Sequence, residues 1–291
     1  MPNSKTISLF LIFILQASIL IEPVKAQNKD LKLDDPSVSK WIKIDDFEST
    51  NPLQQWILAD TRNDTKPKIE NPQVTEVRSE NEIPNHYLIK KPAAEGIVGN
   101  RKALSYKKLP ITVNIGETYT FYTRFKVEYF PNNHIFGLSN LNPEGINLND
   151  YNALEPSLRI TDKYESDGTK NTGTLMVRKD GEYAYIFNKK TNKTANPLQS
   201  GKWYEVWYVV NNAKVNNGGQ SYDVFIRGGD EFPKQQCVFT DATFRMKREL
   251  PLTYFLTNCN TGPVYKPYGN GGLCYDDIYM APGKVLTVPI D

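Results

Sequence analysis

Tyr119-Thr120-Phe121-Tyr122-Thr123-Arg124-Phe125-Lys126-Val127-Glu128-Tyr129 is the stretch that decides the fold. Successive side chains of an extended strand point to opposite sides of its sheet, so Phe121, Phe125, Val127 and Tyr129 share one face, and Tyr122, Arg124, Lys126 and Glu128 the other. One face suits burial and the other suits water or a ligand, which is the pattern of an antiparallel strand covered on one side. The same period of two recurs in Ser157–Lys163, Thr174–Lys179, Tyr183–Asn188, Trp203–Asn211, Tyr222–Arg227, Leu252–Asn258 and Leu273–Met280, and no long 3.6-residue apolar pattern appears. Between these segments lie Pro-Asn-Asn, Ser-Asp-Gly, Lys-Asp-Gly, Asn-Asn-Gly-Gly and Gly-Asn-Gly-Gly, all turn formers. The chain therefore reads as all-β: one two-sheet antiparallel β-sandwich or jelly roll over residues 40–291, preceded by a loose polar segment at 27–39.

Composition narrows the function. With 17 Tyr, 13 Phe and 4 Trp in 291 residues there is ample apolar area for a packed core. A balance of 35 Lys+Arg against 33 Asp+Glu gives no global field to draw in nucleic acid or an anionic membrane. Two His and three Cys cannot assemble a zinc site of the usual spacing. At the start of the chain Lys5 is followed by an apolar run from Ile7 to Leu15 and on to Ile21, ending in Val24-Lys25-Ala26. This predicts a cleavable secretory signal over residues 1–26, since Gln16, Ser18 and Glu22 interrupt a run already too short to span a bilayer. The expected product is a secreted monomer, extracellular or periplasmic, with a net charge of +1 once Lys5, Lys25 and Glu22 are gone. In an oxidising compartment Cys237, Cys259 and Cys274 predict one disulfide and one free thiol, the pairing left open.

The strand faces carry the chemistry. In Ser157–Lys163, Leu158 and Ile160 point one way and Arg159, Thr161 and Lys163 the other; in the closing strand Tyr275, Asp277 and Tyr279 share a face. Any single row of this kind is what a solvated face looks like. Recurring rows of Arg, Lys and Tyr predict a groove for an anionic polysaccharide, aromatic faces stacking on sugar rings and cations pairing with their acid groups. Glycoside hydrolysis needs two facing carboxylates about 5 to 9.5 Å apart, and no suitably spaced pair on one strand is found. β-Elimination needs other groups: a cation or amide on the uronate carboxylate, a base for the C5 proton and an acid for the leaving oxygen. Lys163 beside Arg159 is the candidate base, because neighbouring positive charge disfavours an ammonium ion. His134, in the Pro131-Asn132-Asn133-His134 loop, is a candidate for the substrate carboxylate, and Arg124, Asn133 and Tyr275 complete the candidate binding set.

Trp41-Ile42-Lys43-Ile44-Asp45-Asp46-Phe47-Glu48 and Leu273-Cys274-Tyr275-Asp276-Asp277-Ile278-Tyr279-Met280 resemble the first and last strands of the concanavalin-like jelly rolls of carbohydrate-binding modules, lectins and polysaccharide-degrading enzymes. Where such strands meet, Glu48 and Asp277 are candidate ligands of a structural Ca2+, or simple turn caps. Together with Arg159-Ile160-Thr161-Asp162-Lys163, these ends look like the ulvan lyases of polysaccharide lyase family 28. That resemblance implies a lyase with Lys163 as base, Tyr279 as acid and Arg159 as neutraliser, Tyr275 being the other late tyrosine that could serve. Arg78-Ser79-Glu80 is similar to the start of a jelly-roll alginate lyase strand, but it continues Asn81-Glu82 and that family's other strands are missing. A non-catalytic, lectin-like carbohydrate-binding protein of the same fold is the alternative expectation.

Overall fold

The computed structural model describes residues 41–80 and 83–289; the export signal predicted at 1–26 and the loose segment at 27–39 lie outside the described residues. Two antiparallel sheets pack face to face. One runs in the order Phe232–Thr243, Ser221–Gly228, Trp203–Asn211, Thr118–Val127, Leu273–Pro282, His86–Lys91, Val74–Ser79, with Ile42–Asp45 also paired to Leu273–Pro282. The other runs Glu182–Tyr185, Leu175–Lys179, Leu154–Thr161, Asn133–Ser139, Leu252–Cys259, Ala103–Val113, Trp56–Asp60. About half of the neighbouring pairs join strands distant in sequence, among them Thr118–Val127 with Leu273–Pro282 and Asn133–Ser139 with Leu252–Cys259, as in a jelly roll. The first and last strands do meet, Ile42 opposite Met280 and Lys43 opposite Tyr279.

Alternation explains the interior. Phe121, Phe125 and Val127 turn inward from the eight-stranded sheet, and Phe136, Leu158, Ile160 and Phe255 turn inward from the seven-stranded one, all at most 1% exposed. Phe136 sits where the layers touch: its ring is 5.8 Å from Phe125, 5.4 Å from Tyr275 in an edge-on contact and 6.4 Å from Phe255. Two smaller apolar clusters cover the outer faces. On the seven-stranded sheet the short helix Pro143–Asn149 lays Ile146 over Leu104, Ile135 and Leu256. Its start is fixed by Asn142, whose side-chain oxygen accepts from the Gly145 amide at 2.8 Å, with Pro143 in the first turn. On the eight-stranded sheet Tyr122, Trp207, Phe225 and Tyr279 pack together.

Three expectations change. All eight residues of Leu154–Thr161 are buried, so the face bearing Arg159 is roofed by other parts of the chain and is not a solvated surface. A β-bulge between Asp276 and Tyr279, with Asp277 at φ 49°, reverses the alternation of the closing strand. Tyr275 therefore points into the core at 0% exposure while Tyr279 points out of the other face, and the two do not share a side. All three cysteines are free thiols. Cys274 alternates with the inward Leu273 and Tyr275 and so faces outward from the eight-stranded sheet, whereas Cys259 lies on the seven-stranded one, opposite the inward-facing His134, so no bridge between them is geometrically available. Burial pushes both of these thiols up to about 12.

Truncating Phe136 to Ala removes the ring that joins both layers and is expected to cost about 3–5 kcal/mol, read as a shift in the midpoint of chemical denaturation.

Candidate functional site

A groove of about 680 Å3 crosses one end of the seven-stranded sheet on the face turned away from the core. Its floor is built by strand parity. With Phe136 and Leu158 directed inward, Asn133 and Arg159 must point outward, and Arg178 on Leu175–Lys179 and Tyr183 on Glu182–Tyr185 extend the row. Loops supply the walls: Lys163, Glu165 and Asn171 after the strand Leu154–Thr161, Lys102 before Ala103–Val113, Arg245 after Phe232–Thr243, and Tyr268 on the way to the closing strand. Six cations line the groove, Arg101, Lys102, Arg159, Lys163, Arg178 and Arg245, against three carboxylates, Glu165, Asp167 and Glu182. The near-neutral chain thus gathers positive charge in one place.

Lys163 lies just beyond its strand, with its amide donating to Thr161 Oγ1 at 3.2 Å. Its ammonium is ion-paired to Glu165 and stands 5.0 Å from the centre of the Tyr268 ring. Arg159, 5% exposed, reaches the other oxygen of Glu165 at 2.7 Å, and Asn171 Nδ2 donates to that oxygen at the same distance. Burial lowers the Lys163 ammonium below the usual lysine range; the bond to Glu165 resists this and the charge on Arg159 adds to it. Burial opposes ionisation of Glu165, but Arg159 and the bond from Lys163 outweigh it and hold the carboxyl below its ordinary value. Tyr268 is placed by the loop behind it: Gly269 has φ 114°, and a Cβ there would fall 2.5 Å from Pro131 Cγ, so only glycine fits.

Farther along, two tyrosines hold the remaining cations. The Tyr151 and Tyr183 hydroxyls are 2.5 Å apart, and Arg245 Nη1 donates to Tyr183 at 3.2 Å. Tyr151 stacks with Arg245 at 4.3 Å and Lys102 at 4.9 Å, and Tyr183 with Arg159 at 4.6 Å and Arg178 at 5.1 Å. Burial brings the Lys102 ammonium down to about 8, and it raises the Tyr183 hydroxyl well above its ordinary value. The wall carrying Arg245 is tied down from below. Glu155, 0% exposed on the floor strand, accepts from the amides of Met246, Lys247 and Arg248 at 2.9, 3.0 and 3.4 Å and from the Arg248 guanidinium at 2.8 Å.

Of the residues singled out from sequence, Lys163, Arg159 and Asn133 come together here. His134 does not: it shares the parity of Phe136, faces the interior at 1% exposure, and bonds the Gly271 carbonyl through Nε2 at 2.8 Å. Burial, reinforced by Lys90 and Lys91 and only partly offset by that bond, brings its imidazole down to about 3, so it is neutral and unsuited to hold a carboxylate. Arg124 lies on the outer face of the eight-stranded sheet, bonded to Asp276 at 3.1 Å and Asp277 at 3.3 Å and stacked on Trp203. Tyr279 packs against Tyr122 on that same outer face and Tyr275 is enclosed in the core, so neither reaches Lys163. Glu48 accepts from the His86 amide at 2.5 Å and meets its Nδ1 at 2.6 Å, while Asp277 is engaged by Arg124. Among the described residues no group of three or more His, Cys, Asp or Glu is arranged to hold a metal, and the carboxylates of Glu48 and Asp277 are engaged by His86 and Arg124. Glu165, Tyr268, Arg245 and Tyr151 were not singled out from sequence, for they sit on loops or, in the case of Tyr151, in a single 3-10 turn, without periodicity; Tyr183 and Tyr185, two apart on a recognised strand, did carry a signal.

No family model matches the sequence, and no curated protein matches it. Among solved structures the chain is similar to the marine PL-14 alginate lyase from Aplysia kurodai, at 13% identity over 84% of this chain and 100% of that one, with a TM-score of 0.49. It is also similar to arcelin-5, a lectin-like defence protein from Phaseolus vulgaris, at 9% identity over 84% and 98% of the two chains with a TM-score of 0.45. A further similar structure is the exoplasmic/lumenal domain of VIP36 in its Ca2+/Man3GlcNAc-bound form, at 9% identity over 82% and 89% with a TM-score of 0.45. Lyases and lectins therefore both stand among its neighbours, and likeness at this level carries no residue role across. No helix among the described residues is long and apolar enough to cross a membrane.

Glu165 is the main group that keeps Lys163 basic, so in Glu165→Gln burial and Arg159 act on the ammonium against Asp167 alone. Lys163 is expected to titrate at lower pH in that variant than in the wild type, measured by NMR of isotopically labelled lysine side chains.

Proposed function

We propose that the protein is a secreted polysaccharide lyase that cleaves an anionic, uronate-containing glycan by β-elimination in this groove. The observation that carries the reading is a single cationic groove in which Lys163, less basic than an ordinary lysine, stands beside Arg159, Asn133 and Tyr268. Arg159 and Asn133 would receive the uronate carboxylate, whose neutralisation makes the C5 proton acidic. Lys163 in its neutral form would take that proton. The electron pair left on C5 forms the C4–C5 double bond, the C4–O bond breaks, and the departing oxygen takes a proton from an acid. The Tyr268 ring lies against the Lys163 ammonium, and we assign it this role in place of Tyr279. Ulvan, a sulfated polyuronate, is our first choice of substrate, in line with the Arg159–Lys163 motif.

One observation favours a second reading. Glu165 binds both Arg159 and Lys163, and an ammonium held in an ion pair is a better ligand for an anion than a base. A lectin-like protein would use the same groove to hold the glycan without cutting it.

Ulvan, alginate, glucuronan and pectin, each incubated with the purified protein, separate the two: a lyase generates an unsaturated product that absorbs in the ultraviolet, and no absorbance with any of them sinks the lyase reading. In an active lyase, Lys163→Met is expected to lose about 10²- to 10⁴-fold in turnover while retaining glycan in affinity electrophoresis. Because the folded-state pKa of Lys163 is lowered, turnover is expected to rise with pH through a midpoint below the ordinary lysine range. A pH-independent rate would remove Lys163 from the role of base.

A further inference from the structure

Lys102, Arg178 and Arg245 share the groove with Lys163 but stand apart from it electrostatically. Arg159 and Lys163 have Glu165 between them, whereas none of the other three has a carboxylate within ion-pair distance among the described residues. The nearest acid to act on Lys102, Asp150, is already engaged by Arg62 at 3.2 Å. These three cations come from separate parts of the chain and are gathered around the Tyr151–Tyr183 hydroxyl pair. Arg178 Nε is buried there without a hydrogen-bond partner. Like charges drawn together and partly dehydrated are unfavourable unless an anion joins them.

We propose that Lys102, Arg178 and Arg245 form a second anion subsite, which takes a further carboxylate or sulfate ester of the same glycan chain while Arg159 and Lys163 face the sugar to be cleaved. The inference rests on the anionic-glycan reading of the groove but not on turnover. It makes the protein a reader of two anionic groups rather than one: the phenol pair fixes the cations, and the cations set where along the groove the second charge must fall. A bound anion favours the charged form of Lys102, so complex formation near pH 8 draws a proton onto the protein.

Calorimetric titration of the full chain with ulvan, chemically desulfated ulvan and polyglucuronate tests this in wild type, Lys102→Met and Arg178→Met. Both variants are expected to bind about 10- to 100-fold more weakly, the loss of a hydrogen bond to a charged group. A loss confined to sulfated ulvan identifies a sulfate ester as the second anion, and a loss on all three identifies a carboxylate. In buffers of different ionisation heat near pH 8, proton uptake on binding is expected to shrink in Lys102→Met. Weaker binding supports the subsite whether or not unsaturated product forms. Affinities equal to wild type in both variants overturn it even in an active lyase, as does a wild type that binds none of the three.

Discussion

The packing of Phe136 between the sheets is the constraint from which the rest follows. Its ring touches Phe125 and Tyr275 of one layer and Phe255 of its own, so the strand Asn133–Ser139 cannot shift by one residue without driving that ring into water. Because the period of a strand is two, this single contact decides that His134 faces inward and Asn133 outward, and through the pairing of Arg159 with Ile135 it decides that Arg159 faces the groove. The groove floor is in this sense the reverse side of the core.

Charge on that surface is arranged rather than merely accumulated. Glu165 ties Arg159 to Lys163 and lowers the cost of placing a buried and a half-buried cation side by side, at the price of keeping the lysine protonated. An anionic ligand can compete for Arg159 and free Glu165 to move, which would change the basicity of Lys163 at the moment of binding. Across the groove the phenols of Tyr151 and Tyr183 do the corresponding job with ring faces and hydroxyls instead of a carboxylate, and so leave the net charge uncancelled.

The all-β class and the inward rows of the long strands were legible in the sequence because clean alternation in Thr118–Val127 or Trp203–Asn211 has no other good interpretation. Asn133–Ser139 was not, since all seven residues are buried and a fully covered strand loses its alternation; with that strand unrecognised, His134 passed for a loop residue. The expectation that Tyr275 and Tyr279 share a face fails for a different reason. Period two holds only as far as the bulge at Asp277, which adds one residue that no composition signal announces. Lys163 and Arg159 were found because they lie on or beside a readable strand, while Glu165, Tyr268 and Arg245 are brought in by loops whose course depends on tertiary contacts such as Gly269 against Pro131.

Glu155 has a consequence for how the groove meets its ligand. Its carboxylate is wholly enclosed in the floor and is bound by three consecutive backbone amides and a guanidinium of the wall above it. Lifting that wall would strand a buried negative charge, a penalty of several kcal/mol. Arg245 is thereby cast in place, so a ligand taken up in the groove would cost the chain little conformational entropy. On the proposed reading, a wall held in this way would admit a polymer along the groove and would not close over it.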